Sequence, residues 1–146
     1  VNHALRKIDT PSILFFLGIL LAIAALQATG ILTSLSASLS ESVGNIKIIT
    51  ILIGLLSAIV DNVPLVAAAQ GMYGLDQYPT GHFFWEFLAY CAGTGGSCLV
   101  IGSAAGVAAM GIEKIEFFWY MKKIGWLALL GYLAGAAVFL LQHFLT

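Results

Sequence analysis

Charged residues are scarce in this chain. Of its 146 residues, six are Lys or Arg and seven are Asp or Glu, which together make up 9%. The formal net charge is −1, with no basic stripe and no acidic tail, so no nucleic acid is expected as a partner. Hydrophobic residues account for 60% of the chain, and the mean hydropathy is +1.00. This composition indicates an integral membrane protein, with the lipid bilayer as its surroundings.

Residues that carry enzyme chemistry are also few. The chain has two cysteines and three histidines. Cys91 and Cys98 do not have metal-site spacing, nothing requires a disulfide between them, and the histidines are far apart in sequence. Because no nucleophile–base pair or metal-ligand set is present, the sequence predicts neither an enzyme nor a bound cofactor.

The chain starts at Val1 rather than Met, and its opening residues resemble the end of a loop. The first apolar run is too long for a signal peptide and lacks a small-residue cleavage site. We therefore expect a piece of a longer polypeptide, although a chain that had lost its first residues would look the same.

The outer segments predict ordinary membrane and interfacial helices. Residues 11–30 supply about 20 apolar residues, enough to cross about 30 Å of hydrocarbon. Residues 31–44 place leucines on one helical face among serines, which is typical of an interfacial helix. Residues 111–123 carry Glu and Lys side chains and are predicted to form a polar connector, which leads into a second membrane helix over residues 124–145.

Two inner segments are interrupted. Residues 48–60 form an apolar run of 13 residues, about 20 Å of helix, which is too short to span a bilayer. A polar break with Asp61 and Pro64 follows, so residues 46–73 predict a re-entrant hairpin, with one kinked spanning helix as the alternative. Residues 82–110 predict a broken membrane helix, because three glycines within residues 93–97 destabilise a continuous one.

The placement of basic residues bears on the hairpin. They cluster at Arg6 and Lys7 and again at Lys114, Lys122 and Lys123. If residues 46–73 do not cross, only two crossings separate the clusters, and both lie on one face. The positive-inside rule then favours the cytoplasm for that shared face, with the hairpin opening outward and the C-terminus outside. We expect a multi-pass protein of the inner (cytoplasmic) membrane.

Asp61 is the main candidate for a transport site. An ionised carboxylate in hydrocarbon costs roughly 2.5–3.5 kcal/mol, so it requires a proton, a cation or a buried partner. Ser57 lies four residues earlier on the same helical face, and Asn62 follows directly. The second break adds Thr94 and Ser97 beside glycine carbonyl groups. Such hard oxygen ligands suit sodium, and paired helix breaks build midplane ion sites in many transporters.

Each of these residues also has a plainer interpretation. Thr94 and Ser97 could only satisfy backbone groups freed at the break, and Ser57 could bond back to its own helix. His82 and Glu86 are four residues apart near the outer end of the broken helix. They are secondary candidates, because a polar pair at the membrane interface is the more ordinary role there.

Two segments carry a resemblance to a known family. Residues 57–64 (SAIVDNVP) and residues 92–111 (AGTGGSCLVIGSAAGVAAMG) resemble the C-terminal signature of NhaD-type sodium/proton antiporters. These antiporters belong to the ion transporter superfamily, with the arsenite permeases and dicarboxylate carriers. The resemblance covers most of residues 11–146 and marks as functional positions Ser57, Asp61, Asn62, Thr94 and Ser97.

The resemblance also implies a fold. It is an all-α integral membrane fold of two inverted repeats, each with a re-entrant hairpin and a broken transmembrane helix, and residues 1–146 are the C-terminal repeat. The N-terminal half, which should complete the site, is missing from this chain and is the expected partner. A homodimer is a further option.

The function expected is exchange of sodium (or lithium) for protons by alternating access. Asp61 would be the shared site, because a low-dielectric surrounding disfavours a bare carboxylate and a bound proton or cation removes that penalty. No cofactor is expected beyond the transported sodium ion and proton. The alternatives are an anion carrier of the same superfamily, for dicarboxylate or arsenite-like substrates, and a non-transporting membrane fragment in which Asp61 is permanently paired.

Overall fold

The computed structural model describes residues 10–100 and 103–145, and this part of the chain contains helices and no strand. The basic pair Arg6 and Lys7, used above to predict the topology, lies outside the described residues. In chain order the α-helices are α1 (Thr10–Ala28), α2 (Ile31–Val43), α3 (Ile46–Leu56), α4 (Asn62–Met72), α5 (Phe83–Gly95), α6 (Ala104–Glu113), α7 (Phe117–Tyr120) and α8 (Trp126–Leu145).

Helices α1 and α2 are separated by a sharp bend. Their axes differ by 72° when α1 is taken from Phe16. Gly30 precedes α2 with a φ of 74°, and Gly44 ends it with a φ of 68°. Both angles lie in the left-handed region that glycine adopts without steric cost, so the two glycines set the limits of the amphipathic segment.

Helices α3 and α4 are two short helices on either side of a break at residues 57–61. The Asn45 side chain caps α3 by accepting a hydrogen bond from the Lys47 N–H at 2.9 Å. Pro64 lies in the first turn of α4, where the helix does not need the N–H that proline lacks. The break therefore falls where the sequence offers a polar pair and a proline.

The second break separates α5 from α6. Helix α5 ends at Gly95, a 3₁₀ turn covers Gly96–Cys98, and α6 begins at Ala104. Ser103 caps α6 by accepting a hydrogen bond from the Gly106 N–H at 3.2 Å. Thr94 thus belongs to the last turn of α5, and only Ser97 lies within the break.

The last helix is longer than the sequence predicts. Helix α7, a π-helical segment (Met121–Gly125) and α8 form one continuous helix, Phe117–Leu145, of 29 residues. It begins at Phe117, within the predicted connector of residues 111–123. At 1.5 Å per residue the helix is about 43 Å long, more than the roughly 30 Å of a hydrocarbon core. Its first turns can therefore carry Lys122 and Lys123 beyond the hydrocarbon and still be helical.

Helix α5 lies at the centre of the packing. On one side, Phe84 and Leu88 pack in a cluster with Ile49 and Ile53 of α3 and with Ala69 of α4. On its other side, α5 packs against α8, in a second cluster with these buried members: Ala58, Phe87, Cys91, Cys98, Tyr132 and Ala136. Helix α4 also packs against α1 and α2.

The tightest contact joins α3 to α5 through two glycines. A Cβ atom on Gly95 would overlap the carbonyl oxygen of Gly54 and lie 2.8 Å from the Ser57 Oγ. A Cβ atom on Gly54 would lie 2.7 Å from the Cβ of Cys91. A side chain on either glycine would force the backbone of one helix to move. Because both positions are glycine, the two interrupted helices can touch.

By length and apolar composition, one described helix could span a membrane, Phe117–Leu145. The bent pair Phe16–Ala28 and Ile31–Val43 passes the same test when taken together, and Ile46–Leu56 is apolar but shorter. Many large apolar side chains are exposed, among them Leu20 and Leu21 of α1 and Leu127 and Leu130 of α8. Such surfaces suit contact with lipid or with another membrane helix.

Gly95→Ala tests the glycine contact. We expect it to lower the free energy of unfolding by about 1–3 kcal/mol, because the added methyl group forces α3 and α5 apart. Gly93→Ala is the matched control: it lies two residues away in α5, nothing lies within 4 Å of the position that its methyl group would take, and alanine favours the helix. Thermal unfolding of both variants in detergent gives the comparison, and equal midpoints would contradict the contact.

Candidate functional site

Ser57 lies at the end of α3, where the first break begins. Its side chain is fully buried, and its Oγ donates a hydrogen bond to the Gly54 carbonyl oxygen at 2.6 Å. The Ser57 N–H also bonds to this carbonyl, at 3.1 Å. Ser57 therefore bonds back to its own helix, as the plainer interpretation has it, and it does so at the point where Gly95 of α5 approaches.

Asp61 immediately precedes α4 and is half-buried. Its backbone is extended, with φ −52° and ψ 141°, and its side chain makes no capping hydrogen bond. Within residues 10–100 and 103–145, the Asp61 carboxylate has no hydrogen-bond or ion-pair partner. The partial positive charge at the N-terminus of α4 favours the carboxylate there without neutralising it. Among the described residues, nothing therefore neutralises the Asp61 carboxylate.

The other candidates are arranged around the two breaks. Asn62 is the first residue of α4 and is half-buried. The exposed Thr94 donates its Oγ1 hydrogen to the Tyr90 carbonyl oxygen at 2.7 Å, a bond within its own helix. Ser97 is exposed within the 3₁₀ turn, and its carbonyl oxygen accepts a hydrogen bond from the Tyr120 hydroxyl at 2.7 Å.

The two interrupted helices touch at the last turns of α3 and α5, and not through the side chains predicted as ligands. The contact of Gly95 with Gly54 and Ser57 places the last turn of α5 on the last turn of α3. In the part of the chain that is described, no hydrogen bond joins Asp61 or Asn62 to Thr94 or Ser97. The ends of the two interrupted helices are therefore in contact, but the candidate ligands of the two breaks are not bonded to each other.

Among the described residues, no hydrogen bond or ion pair joins the secondary candidates His82 and Glu86. His82 caps α5: its Nδ1 accepts a hydrogen bond from the Phe84 N–H at 3.1 Å. Glu86 lies in the first turn of the same helix and lines a cavity of about 190 Å³ with His143 of α8. The His143 ring stacks on Phe83 with a centroid separation of 4.0 Å. Glu86 therefore shares its cavity with a histidine 57 positions further along the chain.

Two tyrosines of the last helix contact the interrupted helices without any signal in the sequence. The Tyr132 hydroxyl donates to the Ile51 carbonyl oxygen of α3 at 2.8 Å, and Tyr120 donates to the second break. Tyrosine in a membrane sequence is normally assigned to the interface, so composition alone does not point to these bonds. Only the spatial approach of the last helix reveals them.

Comparison with known proteins places this chain in a family. The citrate transporter family (CitMHS) matches residues 1–87, more than half of the chain. The chain belongs to this family. Its members and the relatives below are transporters, not enzymes, and the chain is part of a multi-pass membrane protein.

The relatives agree with the NhaD-type resemblance, which is confirmed. The chain is 54% identical over 143 residues to sodium/proton antiporter 1 of Arabidopsis thaliana, covering 98% of this chain and 25% of the relative. It is 49% identical over 141 residues to sodium/proton antiporter 2 of the same plant, covering 97% and 34%. It is 38% identical over 144 residues to the Na⁺/H⁺ antiporter NhaD of Alkalimonas amylolytica, covering 96% and 28%.

The chain thus spans between a quarter and about a third of the length of these relatives. No solved structure matches it.

Ser57→Ala tests the packing role of this serine. We expect a loss of about 1 kcal/mol in the free energy of unfolding, because one buried hydrogen bond disappears while Gly54 keeps its backbone partner. Ser36→Ala is the matched control, since the Ser36 Oγ makes the same kind of bond to the Thr33 carbonyl oxygen on the surface of α2. It should change stability by less than about 0.5 kcal/mol. Chemical unfolding in detergent measures both, and a neutral Ser57→Ala would contradict the assignment.

Proposed function

We propose that this chain is the C-terminal repeat of a sodium/proton antiporter in which Asp61 binds the proton and the sodium ion alternately. The observation that carries the proposal is the unpaired Asp61 carboxylate at the first break, half-buried and without a basic partner among the described residues. The names of the relatives support the same activity at the level of the family.

The exchange follows from the cost of a bare charge. Moving an ionised carboxylate through hydrocarbon costs roughly 2.5–3.5 kcal/mol, whereas a protonated or sodium-bound carboxylate carries no net charge. The empty, ionised form is therefore the one that does not cross, and each passage of the site is made with a proton or with a sodium ion. Competition for Asp61 then gives exchange through a single site.

The architecture proposed is an inverted repeat with a re-entrant hairpin formed by α3 and α4. In support, Ile49 near the start of α3 and Tyr73 just after α4 belong to one buried cluster, as expected if the chain turns back at the break and brings the two outer ends together. A single kinked helix would place these ends far apart. The N-terminal half of the transporter would supply the second repeat, and alternating access would move the two breaks as one unit.

The second break would complete the ligand set. Asn62, Thr94 and Ser97 offer amide and hydroxyl oxygens, and the 3₁₀ turn offers backbone carbonyl oxygens. These are hard ligands, which favour small hard cations such as sodium or lithium over softer metals. The hydrogen bond of Thr94 to the Tyr90 carbonyl uses the hydroxyl proton and leaves the oxygen lone pairs for a cation.

The family description raises an anion carrier as the second candidate, since the matched family is described as a citrate transporter. An unpaired carboxylate at the site disfavours it, because two negative charges at close range repel each other in a low dielectric. A non-transporting fragment would leave Asp61 in a permanent pair, and no such partner occurs in the described residues.

We also propose the inner membrane as the location of the transporter, with the C-terminus outside and a homodimer as the assembly to be examined.

Asp61→Asn should abolish sodium-dependent proton movement in vesicles that contain the complete transporter. Asparagine keeps the shape and removes the group that binds a proton. Asp76→Asn is the matched control: Asp76 is exposed in the loop between α4 and α5, and its loss should leave exchange unchanged. Quenching of a pH-sensitive dye, with sodium or choline as the added cation, is the measurement.

Two outcomes would overturn this assignment. Exchange that survives in Asp61→Asn removes the carboxylate from its role. Uptake of labelled citrate by the wild-type vesicles, without any sodium-dependent proton movement, would instead establish the anion carrier.

Thr94→Val should raise the apparent KM for sodium by about 3- to 10-fold, corresponding to the loss of one oxygen ligand worth about 1 kcal/mol. Thr94→Ser retains the hydroxyl and should remain within about 2-fold of the wild type. Initial rates of dye recovery against sodium concentration give both values. Equal KM values for the two variants would show that the hydroxyl serves only the Tyr90 carbonyl.

A further inference from the structure

The last helix contacts α3 and the second break through polar groups. Near its middle, the Tyr132 hydroxyl reaches the Ile51 carbonyl oxygen of α3. One turn after its start, the Tyr120 hydroxyl donates to the Ser97 carbonyl oxygen inside the glycine-rich break, at 2.7 Å. Gly125 covers the next carbonyl along, because a Cβ atom on Gly125 would lie 2.7 Å from the Cys98 oxygen. Two consecutive carbonyl groups of the break therefore face the last helix.

A π-helical segment makes this double contact geometrically feasible. It covers Met121–Gly125, directly after Tyr120. In a π-helix the hydrogen bond runs from residue i to residue i+5, so positions 120 and 125 come onto one side of the helix. In a regular α-helix, five residues correspond to about 500°, which would turn one of them away from the break. Single π-helical turns are frequent at functional sites.

The backbone of the second break is strained at Val100. Val100, two residues after the 3₁₀ turn, has a φ of 66° and is 5% exposed. A β-branched residue in the left-handed region is a genuine outlier, which persists only when the surrounding contacts enforce it. The Tyr120 hydroxyl bonds to the Ser97 carbonyl, three residues before this strained backbone.

We infer that Tyr120 is a positioning residue for cation binding: its hydroxyl holds the Ser97 carbonyl against the last helix and so fixes where the remaining oxygens of the break point. This inference rests on the proposed antiport and adds a residue that does not itself touch the ion. Loss of the hydroxyl frees the Ser97 carbonyl and loosens the break. A looser oxygen cage binds sodium more weakly and distinguishes less between sodium and the smaller lithium ion.

The test compares Tyr120→Phe with wild type in the complete transporter, in vesicles, with apparent KM and maximal rate measured for sodium and for lithium. We expect the sodium KM to rise by about 3- to 10-fold and the ratio of the two KM values to change by at least about 2-fold. The matched control is Tyr78→Phe, which removes a tyrosine hydroxyl in the loop between α4 and α5. It should leave both KM values unchanged.

A purely structural role for Tyr120 would lower the maximal rate with the amount of folded protein and leave both KM values and their ratio unchanged. That result would overturn the inference, as would a Tyr120→Phe variant identical to wild type. Asp61→Asn, run in parallel, separates this failure from failure of the antiport itself. If Asp61→Asn is inactive and Tyr120→Phe is normal, only the positioning role is wrong.

Discussion

The backbone contact between Gly54 and Gly95 sets how closely the two interrupted helices approach each other. Because neither residue has a side chain, the last turns of α3 and α5 approach until the Gly95 Cα faces the Gly54 carbonyl. Both helices break just beyond this contact, so the two breaks become neighbours. Ser57, Tyr132 and the second buried cluster surround the contact and hold it in place. A side chain at either glycine would separate the breaks, and with them the oxygens that we propose as ligands.

Asp61 lies at the first break, and its carboxylate has no partner among the described residues. A half-buried carboxylate normally finds a partner, since an isolated charge in a poorly solvated surrounding is costly. The first break ends α3, and α4 begins anew at Asn62, so Asp61 immediately precedes the N-terminus of α4. This dipole supports a negative charge only modestly, by about 0.3–1 kcal/mol. The helix N-terminus alone therefore does not neutralise the Asp61 carboxylate, in keeping with the proton and cation binding that we propose for it.

Local chemistry explains which features are predictable from the sequence. Asp61 and Pro64 mark the first break and the glycines at 93, 95 and 96 mark the second, because each acts on its own helix. The contacts between distant elements leave no local signal: Gly54 is one of 16 glycines, and the Tyr132–Ile51 bond joins residues 81 positions apart. That the last helix begins at Phe117 is not predictable from the sequence, for a different reason. Lysines favour a polar connector in the sequence, although long side chains at a helix end can reach water from within a helix.

The last helix also limits which parts can move together. The hydroxyls of Tyr120 and Tyr132 bond to the second break and to α3, and the Tyr90 hydroxyl of α5 bonds to the Tyr132 carbonyl oxygen at 3.0 Å. A movement of the two breaks that left this helix behind would have to break all of these bonds and open the buried cluster around Cys91 and Ala136. At about 0.5–1.5 kcal/mol for each hydrogen bond, together with the loss of apolar burial, such a separation is unfavourable. The breaks and the last helix are therefore best regarded as one rigid unit. Of the described helices, α1, α2, α4 and α6 make none of these three hydrogen bonds.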